Sequence, residues 1–189
     1  MNNVVIYCGS NAGGLIGYTQ AAAAIGTILQ ALDLSLIYGG TNQGLMNLIV
    51  DSCLDNGVQI HGVITKKLVS LGKLHQELKS FDVVESVLER KKLMLSKADY
   101  AIALSGGIGT VEEIFTTLSH NQFEEKKIPV GILNIEGYYN GIGDMFKTML
   151  KNGFINKGYD NDLIISSNID SIFSFFTSWQ NTPTPSKWL

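Results

Sequence analysis

The chain has 189 residues, of which 45% are hydrophobic and 16% are charged, a balance that predicts one compact domain with a sizeable core. Its formal net charge is −3, from 14 Lys and Arg against 17 Asp and Glu. These charges form no long block of one sign, so we expect no nucleic-acid partner and no membrane-surface role. We also find no basic-then-apolar leader and no apolar run near the ~20 residues of a membrane span, which predicts a cytoplasmic protein.

The residues that most often bind metals are too scattered to predict a metal site. Cys8 and Cys53 lie in apolar stretches and match no metal or redox spacing, so we expect buried free thiols in a reducing compartment. His61, His75 and His120 show no metal-ligand spacing either. The sequence therefore predicts neither a metal nor a cofactor.

Short β-branched runs alternate with longer amphipathic segments from end to end, as in a parallel sheet covered by helices. Strands are predicted, in chain order, at Val4–Cys8, Leu34–Tyr38, Gln59–Ile64, Phe81–Val84, Tyr100–Leu104, Val130–Leu133 and Leu163–Ile165. Helices are predicted over Tyr18–Leu32, from Gly44 to about Asn56 and over Val87–Ala98, and a helical pattern follows each of the last three strands. The fold class is therefore α/β: a single-domain, doubly wound Rossmann-like parallel sheet of about seven strands flanked by helices, over residues 1–180. Residues 181–189 are expected to form a loose tail.

Glycine-rich loops follow the first, second and fifth predicted strands. They are residues 9–17, residues 39–44 and residues 105–113. If these strands lie near the switch in strand order, the loops converge on one crevice at the carboxyl edge of the sheet. A single loop of this kind is as readily explained as a tight turn, but three such loops are harder to dismiss.

The glycine spacings do not fit the known fingerprints for larger phosphates. Gly39 and Gly44 have the spacing of a P-loop, but Leu45 and Met46 stand where Lys and Ser or Thr are required, which disfavours NTP hydrolysis. The run from Gly107 begins like a dinucleotide fingerprint, but a glutamate occupies the position of its last glycine. The loops therefore suit a single phosphate group, bound at a helix start by exposed backbone amides.

Thr110 and Glu113 have two interpretations. Their S/T-x-x-E spacing is that of a capping box, in which both side chains satisfy backbone donors at the helix start. A cap does not need the glycines that precede them, however. Glu113 is therefore either a capping residue or a partly desolvated carboxylate that acts as a general base or stabilises a developing cation.

The basic trio Arg90, Lys91 and Lys92 lies in the helix that enters the fifth strand. Such a trio lies more often on a solvated helix face than against a ligand. Both placements stay open at this point.

Taken together, these residues resemble the Lonely Guy family of phosphoribohydrolases, which release a cytokinin or adenine base from a nucleoside 5′-monophosphate and are often labelled lysine decarboxylases. The resemblance covers most of the chain. The motifs that carry it are Ile6-Tyr7-Cys8-Gly9-Ser10, Ile37-Tyr38-Gly39-Gly40 with Gly44-Leu45-Met46, Arg90-Lys91, Ser105-Gly106-Gly107-Ile108-Gly109-Thr110-Val111-Glu112-Glu113, and Gly131-Ile132-Leu133-Asn134 with Gly137-Tyr138-Tyr139-Asn140.

The resemblance implies a purine nucleoside 5′-monophosphate as the substrate, Arg90 and Glu113 as catalytic residues, and a homodimer with its crevice near the subunit interface. The residues expected to bind substrate or phosphate are Gly9, Ser10, Gly39, Gly40, Lys91, Gly106, Gly107, Gly109 and Thr110. A lysine decarboxylase would need a Schiff-base lysine, a partner for the pyridine nitrogen of pyridoxal phosphate and a second domain, and neither that partner nor that domain is evident. The alternative is a non-catalytic nucleotide-binding or sensing module, which would need the glycines but not Arg90 and Glu113.

Three departures from the family pattern bear on specificity. Ser105 replaces a proline, Thr41 replaces a third glycine, and Val87-Leu88 replace the Met-His that precedes the Arg-Lys pair. If Leu88 faces the base, it offers an apolar contact where the family offers a hydrogen bond, and selectivity among bases should be looser.

Overall fold

A computed structural model describes residues 2–155 and 158–181, and it contains one sheet of seven parallel strands. The strands are β1 (Asn2–Tyr7), β2 (Leu34–Tyr38), β3 (Ile60–Thr65), β4 (Phe81–Val84), β5 (Tyr100–Ala103), β6 (Val130–Leu133) and β7 (Leu163–Ser166). Seven α-helices connect or follow them: α1 (Ile16–Ala31), α2 (Gly44–Asp55), α3 (Lys66–Ser70), α4 (Val87–Lys97), α5 (Ile108–His120), α6 (Asn140–Lys151) and α7 (Ile169–Ser178). Short 3₁₀ turns cover Ile135–Gly137 and Tyr159–Asp162.

The strand order β4-β3-β2-β1-β5-β6-β7 places the switch between β1 and β5. Alternate residues of β1 belong to two separate cores: Val4 and Ile6 pack with α1, α2 and α7, whereas Val5 and Tyr7 pack with α4 and α5. Helices therefore cover both faces, and the expected doubly wound α/β fold is confirmed.

The predicted elements differ from the structure mainly at their ends. Helix α1 begins at Ile16 rather than Tyr18, because Gly17, interpreted as loop, lies inside its first turn. Strand β3 begins one residue later than predicted and β5 ends one residue earlier. Helix α2 ends at Asp55, and Gly57 follows with a φ of +68°, as expected for a glycine stop signal.

The small residues of α1 allow this helix to pack closely against α2 as well as against the sheet. A Cβ atom on Gly26 would lie 2.1 Å from the carbonyl oxygen of Ser52, so this glycine permits α1 to approach α2 closely. The Ser52 hydroxyl accepts a hydrogen bond from the Gly26 amide and donates one to the Ala23 carbonyl.

The expected tail lies, apart from Asn181, outside the described residues. Asn181 donates a side-chain hydrogen bond to the carbonyl of Glu125. Among the described residues, no helix combines the length and the hydropathy needed to cross a membrane.

Candidate active site

Three loops meet at the carboxyl edge of the sheet, beside the switch between β1 and β5. The Gly9 amide donates to the Ser105 carbonyl (3.0 Å), and the Gly9 carbonyl accepts from the Leu45 amide (3.1 Å). Gly9, two residues beyond the end of β1, thus joins the loop after β5 to the start of α2, which follows the β2 loop. The predicted convergence of the glycine loops is confirmed.

The loops and helices α4 and α5 enclose a cavity of about 410 Å³. Nine of the eleven predicted site residues line it: Gly9, Ser10, Gly39, Arg90, Lys91, Gly107, Gly109, Thr110 and Glu113. Gly9 lines the cavity, but because its amide and carbonyl both bond to neighbouring loops, it shapes the site rather than donating to a ligand.

Gly40 and Gly106, the other two predicted residues, do not line the cavity. They permit neighbouring parts of the chain to pack closely around the loops. Gly40 has a φ of +74°, and a Cβ atom there would lie 2.8 Å from the Cβ of Ile64. A Cβ atom on Gly106 would lie 2.8 Å from the Gly9 amide nitrogen and closer still to the Thr110 hydroxyl oxygen. Both positions need a glycine for the loops to fit together.

The start of helix α5 supplies unpaired backbone amides to the cavity. Gly107 is the N-cap residue, and Gly107 and Gly109 both line the cavity. A Cβ atom on either glycine would meet nothing within 4 Å, so the space beside their Cα atoms is open. Free amides and the helix dipole make such a start a binding site for an anion.

The capping interpretation of Thr110 and Glu113 is wrong. Because Gly107 caps α5, Thr110 lies in the first turn and Glu113 lies further along the helix. Among the described residues the Glu113 carboxylate forms no hydrogen bond or ion pair. It is left free to act on a ligand in the cavity.

Burial changes the acidity of Glu113. Its half-buried position raises the pKa of the carboxyl from 4.5 to about 7; Arg90 and Lys91 oppose this rise and Glu112 adds to it. The thiol of Cys8, in the same cavity, has its pKa raised by burial and then by the charge of Glu113. Cys8 is therefore a protonated thiol rather than a nucleophile.

Arg90 is fixed by two backbone carbonyls, one within β3 and one directly after the neighbouring strand β2. Its Nε donates to Val63 (2.9 Å) and its Nη2 donates to Gly39 (3.0 Å). A Cβ atom on Gly39 would collide with this guanidinium, which explains the glycine there. A guanidinium has five N–H donors, so the rest remain available to a ligand. Burial lowers the pKa of Arg90, and the nearby Glu113 charge counteracts this effect.

The basic trio divides between the two faces of α4. Lys91 forms an ion pair with Glu112 of α5, and its side chain is 14% exposed. Lys92 is exposed and lines an outer groove instead of the cavity. Arg90 and Lys91 therefore face the candidate site, against the general tendency of such trios.

Leu88 does not face the cavity. It is 74% exposed and lines the groove between α4 and α5, whereas Val87 lines the cavity. Helical spacing explains the difference, because Val87, Arg90 and Met94 share one face of α4. The same spacing, counted from Arg90, would have found Val87 in the sequence.

Sequence reasoning also missed Leu68, which lies outside the glycine-rich loops, and Gln43, which lies within the second loop; both line the cavity. Thr41, noted as a departure from the family pattern, lines it as well, and its hydroxyl lies 3.2 Å from the thioether of Met46. The Ser105 hydroxyl is buried without a hydrogen-bond partner and does not line the cavity. Among the described residues, no three His, Cys, Asp or Glu side chains lie close enough together to hold a metal ion.

The fold and the cavity define a Rossmann-like α/β protein with a ligand site at the switch in strand order. Solved structures share this fold. They include a molybdenum cofactor binding protein from Rippkaea orientalis (TM-score 0.72, 17% identity, 94% of this chain and 97% of that one) and the molybdenum cofactor carrier protein of Chlamydomonas reinhardtii (TM-score 0.71, 14% identity, 94% and 99%). At these identities the likeness concerns the fold alone.

Sequence relatives are closer. A probable cytokinin riboside 5′-monophosphate phosphoribohydrolase of Oryza sativa subsp. japonica is 33% identical over 94% of this chain and 77% of its own length. A cytokinin riboside 5′-monophosphate phosphoribohydrolase of Arabidopsis thaliana is 35% identical over 81% and 72%. The family described as "Possible lysine decarboxylase" matches residues 46–174. The chain therefore belongs to this family, the Lonely Guy phosphoribohydrolases, and the expected resemblance is confirmed.

Proposed function

We propose that the protein hydrolyses the N-glycosidic bond of a purine nucleoside 5′-monophosphate, AMP or a cytokinin riboside monophosphate, to the free base and ribose 5-phosphate. The observation that carries the proposal is the Glu113 carboxyl. It is half-buried, has no hydrogen-bond partner among the described residues, and has its pKa raised to about 7 in the cavity that also holds Arg90 and the start of α5. A carboxylate with this pKa suits proton transfer near neutral pH.

The start of α5 would hold the 5′-phosphate. Gly107 and Gly109 place backbone amides at the cavity, and hydrogen bonds from amides to a charged phosphate are stronger than those to a neutral hydroxyl. Thr110, in the first turn, adds a hydroxyl to the same surface. This arrangement favours a nucleotide over the corresponding nucleoside.

Glu113 would act at the sugar. Cleavage breaks the bond from C1′ to the base nitrogen, and the electron pair leaves with the base while positive charge develops on the ribose. Ionised Glu113 stabilises that charge and accepts a proton from the water that forms the new bond to C1′. Glu113 then gives up the proton it accepted and the departing base takes up one proton, so that the net step adds the OH of water to C1′ and its H to the base.

Arg90 would position the nucleotide. Its guanidinium is held at Val63 and Gly39, so the donors that remain have a fixed direction at little entropic cost. A non-catalytic binding module, the competing hypothesis, could use the glycines alone. It has no need of a half-buried carboxyl with a raised pKa next to this arginine.

The test is release of free adenine from AMP, followed by chromatography in buffer with EDTA. We expect the wild-type protein to release adenine and ribose 5-phosphate, and Glu113→Gln to bind AMP with no measurable release. Glu125→Gln, which changes an exposed glutamate beyond the end of α5 that lines neither the cavity nor the groove between α4 and α5, is the matched control and should keep full activity. A wild-type protein that binds AMP but frees no base over a long incubation would establish the binding module instead.

A homodimer is the second part of the proposal. The groove between α4 and α5 has a volume of about 780 Å³ and exposes apolar side chains, with Leu88 at 74% and Phe123 at 71%. Lys91 and Glu112 line both this groove and the cavity. A second copy on this face would therefore lie beside the site. Helix α1 already packs against α2.

Other expectations stay predictions. They are the independence from metal and cofactor and the cytoplasmic location. Cys8 and Cys53 are both buried free thiols, as expected.

A further inference from the structure

The peptide between Gly106 and Gly107 lies at the entrance to helix α5, and a side chain from another part of the fold holds it. The Tyr138 hydroxyl donates a hydrogen bond of 2.7 Å to the Gly106 carbonyl oxygen. Tyr138 is separated from Gly106 by 32 positions and belongs to the turn that follows β6. It is not one of the residues that line the cavity.

This contact decides where the next amide points. The described chain has no cis peptide bonds, and in a planar trans peptide the C=O and the N–H point in opposite directions. Because the Gly106 carbonyl points to Tyr138, outside the cavity, the Gly107 N–H points the opposite way, towards the cavity that Gly107 lines. No hydrogen bond within the described residues uses this N–H.

Little else fixes the peptide. It joins two glycines, whose backbone accepts conformations that other residues avoid. A Cβ atom on Gly107 would have no neighbour within 4 Å, so no packing surrounds it on that side. A rotation of the peptide by half a turn would bring the Gly106 carbonyl oxygen into the cavity, where it would repel an anion.

Tyr138 is itself firmly placed. Its ring packs edge-to-face against Tyr18 (centroids 5.7 Å apart) and against Tyr139 (4.8 Å). Tyr139 in turn donates to the Leu104 carbonyl (2.8 Å), and its amide donates to the Asn134 side chain (2.7 Å). Two consecutive tyrosines therefore hold the carbonyls on both sides of Ser105, which stands where the family has a proline.

We propose that Tyr138 is a positioning residue for the phosphate: its hydroxyl keeps the Gly106–Gly107 peptide turned so that the Gly107 amide faces the anion. The inference rests on the proposed function, because it needs a phosphate at the start of α5. Tyr138, which lies outside the cavity, would thus help the protein to discriminate the nucleotide from the nucleoside.

The test is Tyr138→Phe, which removes the hydroxyl and keeps both ring contacts. Calorimetric titration with ribose 5-phosphate should give an affinity weaker by about tenfold, the typical effect of one such hydrogen bond. The KM for AMP should rise by a similar factor with kcat within about twofold of wild type. The much lower kcat/KM for adenosine should not change. Tyr100→Phe is the matched control, since its hydroxyl accepts a hydrogen bond from Asn2 and lies at the opposite end of β5.

The titration separates this inference from the proposed function. If the wild type binds ribose 5-phosphate but releases no base, the hydrolase proposal fails, and the titration of Tyr138→Phe still decides the role of Tyr138. Unchanged affinity in Tyr138→Phe would overturn the inference, and so would an equal loss of activity on AMP and adenosine. A wild-type protein that binds no ribose 5-phosphate would overturn it as well.

Discussion

Replacing Glu113 by glutamine should stabilise the protein while it abolishes activity. The raised pKa of Glu113 means that the folded protein resists ionisation of this carboxyl. Above pH 7 the folded state must hold a half-buried negative charge that the unfolded chain exposes to water. Glutamine has nearly the same shape and never ionises, so the variant avoids that cost.

The size of the effect follows from the pKa change. Between pH 4.5 and about 7 the folded state keeps a proton that the unfolded state releases, so the free energy of unfolding falls as pH rises through this window. With each pKa unit worth about 1.4 kcal/mol, the stability advantage of Glu113→Gln should be about 2.5 kcal/mol larger at pH 8 than at pH 5. The cost of burying the glutamine amide is the same at both pH values and cancels in this difference.

The assay is urea unfolding of both proteins at pH 5 and pH 8, followed by circular dichroism. Glu125→Gln is the control again, and its stability should differ from wild type by less than about 0.5 kcal/mol at either pH. An advantage of Glu113→Gln that is equal at the two pH values would refute the reasoning. It would mean that burial does not raise the pKa of this carboxyl.

Three further predictions concern substrate and assembly. Adenosine should be cleaved with a kcat/KM lower than that of AMP by about 100-fold or more, because the charged hydrogen bonds at the start of α5 are lost. Equal kcat/KM values would show that the phosphate does not bind at the start of α5. Val87→His should change the ratio of kcat/KM for AMP, GMP and N6-prenylated AMP, whereas Leu88→His should leave it unchanged; the reverse result would place Leu88 at the base. Leu88→Glu should shift sedimentation at micromolar concentration from dimer to monomer, and a wild-type protein that is monomeric and active would contradict the proposed dimer.

Most of the fold could be predicted because the patterns that indicate each strand and helix lie within short segments of the sequence. Each strand is a short run rich in apolar residues, and three of the seven, Leu34–Tyr38, Phe81–Val84 and Val130–Leu133, match their predicted ends. The glycine loops could be assigned to one crevice because parallel strands carry their following loops to the same edge. Besides shifts of one or two residues at strand ends, the errors concern helix starts, since α1 and α5 begin at residues without a capping side chain.

The orientation of side chains on α4 was harder to predict than the helix itself. Val87 and Leu88 are adjacent, similar in character and equally compatible with an apolar stripe. Which of them faces the site depends on the rotation of α4 about its axis, and the contacts of Arg90 with Val63 and Gly39 fix that rotation. The partners lie 27 and 51 positions away, so no pattern within the helix contains this information.

The acidity of Glu113 also depends on contacts between residues that are distant in the sequence. Its spacing from Thr110 fits a capping box as well as an active site, and only the start of α5 at Ile108 rules out the cap. The burial that raises its pKa comes from a cavity whose other walls include Ile6 and Cys8, about a hundred residues earlier in the chain. A local motif can therefore identify this glutamate as a candidate catalytic residue. Its raised pKa, however, depends on the packing of β1 and α4 at the switch in strand order. A substitution that loosens this junction should lower the pKa of Glu113 before it unfolds the protein, because water would reach the carboxyl first.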